Sequence, residues 1–520
     1  MQIKTRNKML SVIVLLFVIT DLSNASPFPS QFSKFSRQAS STSSETGKIW
    51  KGVFDESVRS SMREAESGRA LASNVSLSSK FKTQMHMVGG INDCIELLDD
   101  TVDLLSNIII TNNVNDEDDV RTRLSAAITN QETCMESLDK YKLQVEEGII
   151  KSMVQKLSHS ITSSLSLHMS ISTSTDNHFR NATSTWKLSS VELKLLEANI
   201  KEIQVHAVVD KHGSSGTHKT IGEAISLSLA AEGRTVIHIT AGTYHENIKI
   251  PTKQKNVMLI GDGKGKTVIV GDRNSEDGWT TFQSATVAAM GDGFIARDIT
   301  FVNSAGGDKH QAVALRVGSD KSVIYRCSIL GYQDSLYTHS KRQFYRDTDI
   351  YGTVDFIFGN SAVVFQNCNI YARKPVSSGL RNFITAQGRT DPNQNTGISI
   401  HNCKIVAASD LAPSKSNFVT YLGRPWKKYS RTVVMQTYLD DVIHPSGWSA
   451  WSGNFALDTL YYGEYSNTGP GASTSGRVRW ASYHTALTST QAQSFTVGAF
   501  ISGNLWLPST GVSFDSGLLG

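Results

Sequence analysis

Val323–Ile329 reads VIYRCSI, Phe344–Ile350 reads FYRDTDI, Val364–Ile370 reads VFQNCNI and Ser399–Ile405 reads SIHNCKI. Each is a short strand-like stretch that closes on isoleucine, and Phe294–Thr300, FIARDIT, has the same cast. The closing isoleucines stand at 329, 350, 370 and 405, so two successive intervals are 21 and 20 residues. Self-similarity of this kind marks stacked units, none of which can bury its own apolar face alone. The interval is near the length of one solenoid coil, and the expectation is an all-β, right-handed parallel β-helix. Equivalent positions of adjacent coils then lie about 4.8 Å apart with side chains pointing the same way, so the repeat acts as a ruler.

Applied to the acidic residues, the ruler puts Asp334 five positions after Ile329 and Asp355 five positions after Ile350. The two should be spatial neighbours. Carboxylates that close cannot both ionise freely, so one is expected protonated and one charged, a division suited to general acid and nucleophile. An Asp ladder at turns, as solvated caps or calcium ligands, fits the same spacing. What favours chemistry is the company. Asp334 sits in GYQDSLY (331–337) behind Gln333, and Asp355 in GTVDFIFG (352–359). Aromatic flanks suit sugar rings and desolvate a carboxyl group. Upstream, Thr235–Ile239, Asn256–Ile260 and Thr267–Val270 read as further strands separated by Gly and Asp.

Outward from this β-rich part the pattern changes. At 520 residues, with 39% hydrophobic and 19% charged composition, the chain exceeds one ordinary domain. A net charge of only +4 argues against nucleic-acid or strong membrane partners and mildly favours an acidic polymer. Lys4, Arg6 and Lys8, the apolar run Met9–Ile19 and then Ser23-Asn24-Ala25 form a signal-peptide pattern over residues 1–25. The run is short for a membrane span of roughly 20 apolar residues, so a secreted, soluble protein is expected. Sequons at Asn74 and Asn181 would then be open to glycosylation.

From Lys48 to Glu197 the period is helical, with Ile91, Ile95, Leu98, Val102 and Leu105 on one face and Leu124, Ile128, Met135 and Leu138 on another. Cys94 and Cys134 fall on these two helices and are expected to pair in an oxidising compartment, the alternative being two buried free thiols. Ser170–Ser184 reads as a polar linker.

Gly242–Glu246 (GTYHE), Gln311–Arg316 (QAVALR), the two Asp segments and Tyr421–Trp426 (YLGRPW) carry a resemblance to plant pectin methylesterases, extending over Val205–Leu519. Asp93–Leu105 (DCIELLDDTVDLL) and Ala126–Leu138 (AAITNQETCMESL) resemble the pectin methylesterase inhibitor family, an all-α four-helix bundle. Together they imply a signal peptide at 1–25, an inhibitor-like pro-region with linker at 26–197 and a catalytic β-helix at 198–520. Leu193-Lys194-Leu195-Leu196 looks like a weakened form of the basic dipeptide-Leu-Leu processing signal, which implies cleavage close to Glu197. The inhibitor family usually has a further cysteine pair near its N-terminus, whereas no cysteine precedes Cys94, which puts the N-terminal hairpin and inhibitory competence in question.

The esterase resemblance implies that Asp355 attacks the C6 ester carbonyl, that Asp334 protonates departing methanol and then activates water, and that Gln311 and Gln333 donate to the oxyanion. Arg424 would hold Asp355, lowering its pKa and keeping it charged, Trp426 would stack on a galacturonate ring, and Thr281 would contact substrate. Taken alone, Arg424 could equally be a surface ion pair and Trp426 a core aromatic. No metal or cofactor is implied. The expected partner is methylesterified pectin in the plant cell wall, with the chain's own pro-region or a proteinaceous inhibitor as a second, and the expected state is a monomer. His310 and His339 lie near these segments, but without a Gly-x-Ser-x-Gly elbow they read as structural or peripheral.

The repeat aligns Cys327, Thr348, Cys368 and Cys403 at one coil position. Relatives of this type pair the cysteines at the 348 and 368 positions, which Thr348 forbids, so Cys368 is expected to pair with Cys403 and leave Cys327 odd. Two rival functions stand beside the esterase. One is a calcium-dependent pectate lyase, and the other is an inert inhibitory or wall-binding protein.

Overall fold

The computed structural model describes residues 45–77, 88–110, 117–140, 145–175, 196–213, 218–229, 233–376 and 381–520, which divide into a largely N-terminal helical unit and a C-terminal β unit. The signal segment, the Asn181 sequon and Leu193–Leu195 lie outside the described residues.

The helices are α1 (Glu45–Leu77), α2 (Val88–Ile110), α3 (Glu117–Asp139) and α4 (Val145–Thr175). Cys94 and Cys134 form the expected disulfide, tying α2 to α3. The buried stripe of α2 runs through Cys94, Leu97, Leu98, Thr101, Leu104, Leu105 and Ile108, so Ile95 and Val102 lie at its margin rather than in it. Hydrophobicity alone missed a polar seam between the same helices. Asn130 donates to Asp100 at 2.9 Å and Gln131 to Thr101 at 2.9 Å, all four buried, so the buried amide N–H groups find acceptors across the seam. Small hydroxyls join α1 to α4, Ser57 to Ser164 at 2.6 Å and Ser61 to Ser160 at 2.8 Å. The predicted linker begins too early, because α4 continues through Thr175. Its serines return their hydroxyls to the preceding turn, as Ser170 does to the Ser166 carbonyl at 2.9 Å, so polarity does not end the helix. Asn74 is exposed near the end of α1.

Among the described residues of the second unit every ladder is parallel, and the strands form sheets of eleven, seven and eight, to which successive coils each contribute in turn. This is the expected parallel β-helix. Ile329, Ile350, Ile370 and Ile405 are direct partners in sequence, all buried in the interior column. One repeat is out of register by a residue. Ile295, not Phe294, pairs with Val323, and Phe301 pairs with Ile329. The backbone decides the register, since Asp298 and Arg326 both take the left-handed corner conformation, as Asp347, Asn367, Asn402 and Gln436 do in later coils. Stacked there, Arg326 grips Asp298 with two bonds of 2.8 and 2.6 Å.

The cysteine column corrects a second expectation, because Cys327, Cys368 and Cys403 are all free and buried. The position is a hydrogen-bonding ladder. The Cys327 N–H donates to Thr348 Oγ1 at 3.4 Å, the Cys368 N–H to Cys403 Sγ at 3.3 Å and the Cys403 N–H to Thr437 Oγ1 at 3.2 Å. Each side chain thus caps the backbone of the coil before it, and Thr does this as well as Cys, which is why Thr348 fits. Glu246 of the GTYHE motif is structural too. Its two oxygens accept from the N–H groups of Ile221 and Gly222 at 3.0 and 3.1 Å, capping the helix Ile221–Ile225.

Candidate active site

The seven-stranded sheet carries the site. Its strands Leu336–Thr338 and Ile357–Gly359 pair with Leu336 opposite Ile357, so Asp334 and Asp355, each two residues earlier, occupy one register in adjacent coils. The Asp334 N–H donates to the Val354 carbonyl at 3.0 Å, which locks that alignment. Both residues adopt left-handed φ, 62° and 51°, a conformation costly for most side chains but more readily taken by Asp. The coil before places Val313 at the same position, and the coil after places Phe383 there. Two carboxyl groups therefore interrupt an otherwise apolar column.

Asp334 and Asp355 are 7% and 6% exposed. Arg424 donates from Nε to Asp355 Oδ1 at 2.8 Å and from Nη2 to Oδ2 at 2.6 Å, the planar fork matched to the carboxylate. The expected sign of its effect is nevertheless incomplete. Burial raises the Asp355 pKa above the ordinary carboxylate value, and Arg424 opposes that rise without reversing it. A buried carboxyl is thereby kept basic beside a fixed counter-charge.

The glutamines flank the pair through the backbone. Ala312 donates to the Gln333 carbonyl at 3.3 Å, and the Gln311 carbonyl accepts from Ser275 at 2.9 Å, so Gln311 lies one coil before Gln333. Along the sheet, Arg316, Tyr337 and Phe358 are register partners, and the Tyr337 and Phe358 rings stack 4.2 Å apart. Trp426 meets Phe358 edge-on at 5.8 Å. Its ring also lies 2.8 Å from where a Cβ on residue 388 would stand, so Gly388 is what admits it. Trp426 thus borders the site and is half-buried. Thr281 is next to Phe282, whose ring meets Arg316 at 3.3 Å and His339 at 5.4 Å, in the coil three before that of Asp355.

His339 is wholly buried, and burial pushes its pKa well below the ordinary imidazole value, while His310 is exposed near Glu276 at 3.6 Å. Sequence reasoning missed Phe383 and Trp451, which sandwich Arg424 at 4.0 and 4.3 Å. Five positions after Ile370 the ruler points to Pro375, but a longer loop carries the Asp column on to Phe383, so only the register of the strands finds it, and Trp451 belongs to no repeat.

An ionisable, desolvated carboxylate with a second carboxyl one coil away can attack an acyl carbon and shuttle a proton to the leaving group. The family profile described as Pectinesterase matches residues 206–504, and that described as Plant invertase/pectin methylesterase inhibitor matches residues 30–175. Probable pectinesterase/pectinesterase inhibitor 35 of Arabidopsis thaliana is 58% identical over 508 residues, spanning 94% of this chain and 93% of that protein. Pectinesterase 2 of Citrus sinensis is 51% identical over 429 residues, 82% of this chain and 81% of that one. Among solved structures, pectin methylesterase from carrot matches with a TM-score of 0.60 and 59% identity, covering 61% of this chain and 99% of its own.

Proposed function

The chain belongs to the pectinesterase family, with an N-terminal region of the inhibitor type, and hydrolyses the methyl esters of pectin; from that premise we propose that Asp355 and Asp334 carry the chemistry. The Asp355 carboxylate attacks the C6 carbonyl carbon of a methylgalacturonate unit. Gln311 and Gln333 donate to the oxyanion of the tetrahedral intermediate. As that intermediate collapses, Asp334 gives its proton to the methoxy oxygen and methanol leaves. An acyl group now joins C6 to Asp355. Asp334, deprotonated, takes a proton from water, whose oxygen attacks the same carbon. The bond between C6 and the Asp355 oxygen breaks, the product leaves as the galacturonic acid carboxyl and gives its proton to solvent, and ionised Asp355 and protonated Asp334 are restored.

The observation that supports this most is the shared register of the two Asp residues, with Arg424 bonded to both oxygens of Asp355. Trp426 borders the site as a stacking face for a sugar ring, and Thr281 is assigned substrate contact along the same sheet. The polymer is methylesterified homogalacturonan met outside the cell. Residues 1–25 direct secretion to the wall, 26–197 form the pro-region and 198–520 the enzyme, to which Leu196 also contributes by packing into the β unit. The pro-region, or a separate inhibitor protein, is the second partner. The lyase and inert-binder alternatives are not favoured by any of these similarities.

The test is methanol release from highly methylated pectin by the full chain and its Asp334→Ala and Asp355→Ala variants, with and without chelator. Chelator-resistant release lost in both variants is expected. Calcium-dependent unsaturated products without methanol would overturn the esterase assignment.

A further inference from the structure

Arg424 is held on both faces as well as at its end. One face lies on the Phe383 ring, 4.0 Å from its centre, and the other on the Trp451 ring at 4.3 Å. Phe383 is itself fixed, stacked on Tyr421 at 5.7 Å with the rings 10° apart. Trp451 arrives from a different part of the chain. Gly423 and Trp448 form a parallel bridge, and the Ser449 N–H donates to the Gly423 carbonyl at 3.0 Å, so the loop bearing Trp451 is tied to the residue preceding Arg424. The Arg424 N–H in turn donates to the Thr385 carbonyl at 3.0 Å.

A bidentate fork works only when its plane is aligned with the carboxylate, and a long arginine side chain has several rotatable bonds through which to lose that alignment. Aromatic faces on both sides attract the cation and remove the out-of-plane freedom. The inner wall, Phe383, is 7% exposed and packed in the coil, whereas Trp451 is 36% exposed and forms the solvent-side wall. The Arg424 side chain keeps 21% exposure, so the outer wall decides whether the fork can swing away.

We propose that Trp451 is a positioning residue for the esterase reaction, clamping Arg424 against Phe383 so that the guanidinium stays in register with Asp355. This rests on Asp355 as nucleophile. A Trp451 that merely offered a face to a sugar ring would act on substrate affinity alone, whereas a clamp acts through the ionisation and aim of Asp355. The two separate in kinetics.

The experiment measures kcat, KM and the pH dependence of kcat on methylated pectin for the full chain and for Trp451→Leu, Trp451→Gln and Trp451→Phe, with melting temperatures and with Asp355→Ala alongside. Loss of the clamp should lower kcat about tenfold in the Leu and Gln variants, with KM changed less than about twofold. Their acid limb should also move to higher pH, because a poorly aimed Arg424 opposes the burial of Asp355 less. Trp451→Phe, which keeps an aromatic face, should restore most of the rate. An unchanged kcat and acid limb, or a loss confined to KM, would overturn the proposal. Two dissimilar polar and apolar replacements at an exposed site guard against a folding defect in either. Methanol release surviving in Asp355→Ala would instead overturn the nucleophile assignment, a separate result.

Discussion

Arg424 bonds both oxygens of Asp355, at 2.8 and 2.6 Å, yet the carboxyl remains above its ordinary pKa because burial outweighs the guanidinium. The contact therefore does not make Asp355 a strong acid. It lets a desolvated carboxylate exist while leaving it more basic than an exposed one.

The first consequence is a pH dependence. With Asp355 as the proposed nucleophile, kcat should fall as pH drops through a value higher than that of an ordinary carboxylate. Arg424→Ala removes the lowering influence and should move this limb higher still. Stability takes the corresponding sign: a carboxyl raised on folding stabilises fully below its unfolded pKa, and that contribution is lost as pH rises through the folded one. A pH–rate profile whose acid limb moved downward in Arg424→Ala would contradict this account.

Gln311 and Gln333 are assigned to the developing oxyanion, not to the ground-state ester. Gln333→Ala and Gln311→Ala should each lower kcat roughly 10²-fold with little change in KM. Steady-state kinetics on pectin of fixed methylation would check this, and a loss appearing only in KM would reassign the pair to substrate binding.

The isoleucine column is the structural counterpart of the site. Ile350 is wholly buried between Ile329 and Ile370, so Ile350→Ala should cost about 2–5 kcal/mol and Ile350→Val about 1 kcal/mol. Denaturant melts of the β unit would read the difference. Equal, negligible losses would mean the column is not packed as described.

Cys327, Cys368 and Cys403 are free but enclosed, and burial raises the thiol pKa of Cys327 to about 12 and that of Cys368 well above the ordinary value. A thiol reagent should label none of the three in the folded protein and all three after unfolding without reductant, with Cys94 and Cys134 protected. Mass spectrometry of the digest would show this. A Cys368–Cys403 cross-link in the digest would restore the bridge that the ladder replaces.

Much of the site was legible because a solenoid converts sequence distance into spatial distance. Asp334 and Asp355 share a coil position for the same reason Ile329 and Ile350 do, and the ruler that found one pair found the other. It failed at Phe294–Thr300, where the left-handed corner at Asp298, a backbone feature, sets the register one residue away from that of the side-chain pattern. It was also silent on polarity inside the helices, since Asn130 and Gln131 look like surface residues until Asp100 and Thr101 come opposite them.

From the sequence alone followed the coil period, the class of both units, the Cys94–Cys134 bridge and the identity of the paired carboxyls, because each depends on local pattern or on a fixed repeat. Tertiary structure decided that the cysteine column is a hydrogen-bonding ladder, that Asp355 is raised and not lowered, and that Trp451 completes the seat of Arg424. Those outcomes turn on burial and on side chains meeting across loops of irregular length, and neither quantity is a function of position along the chain.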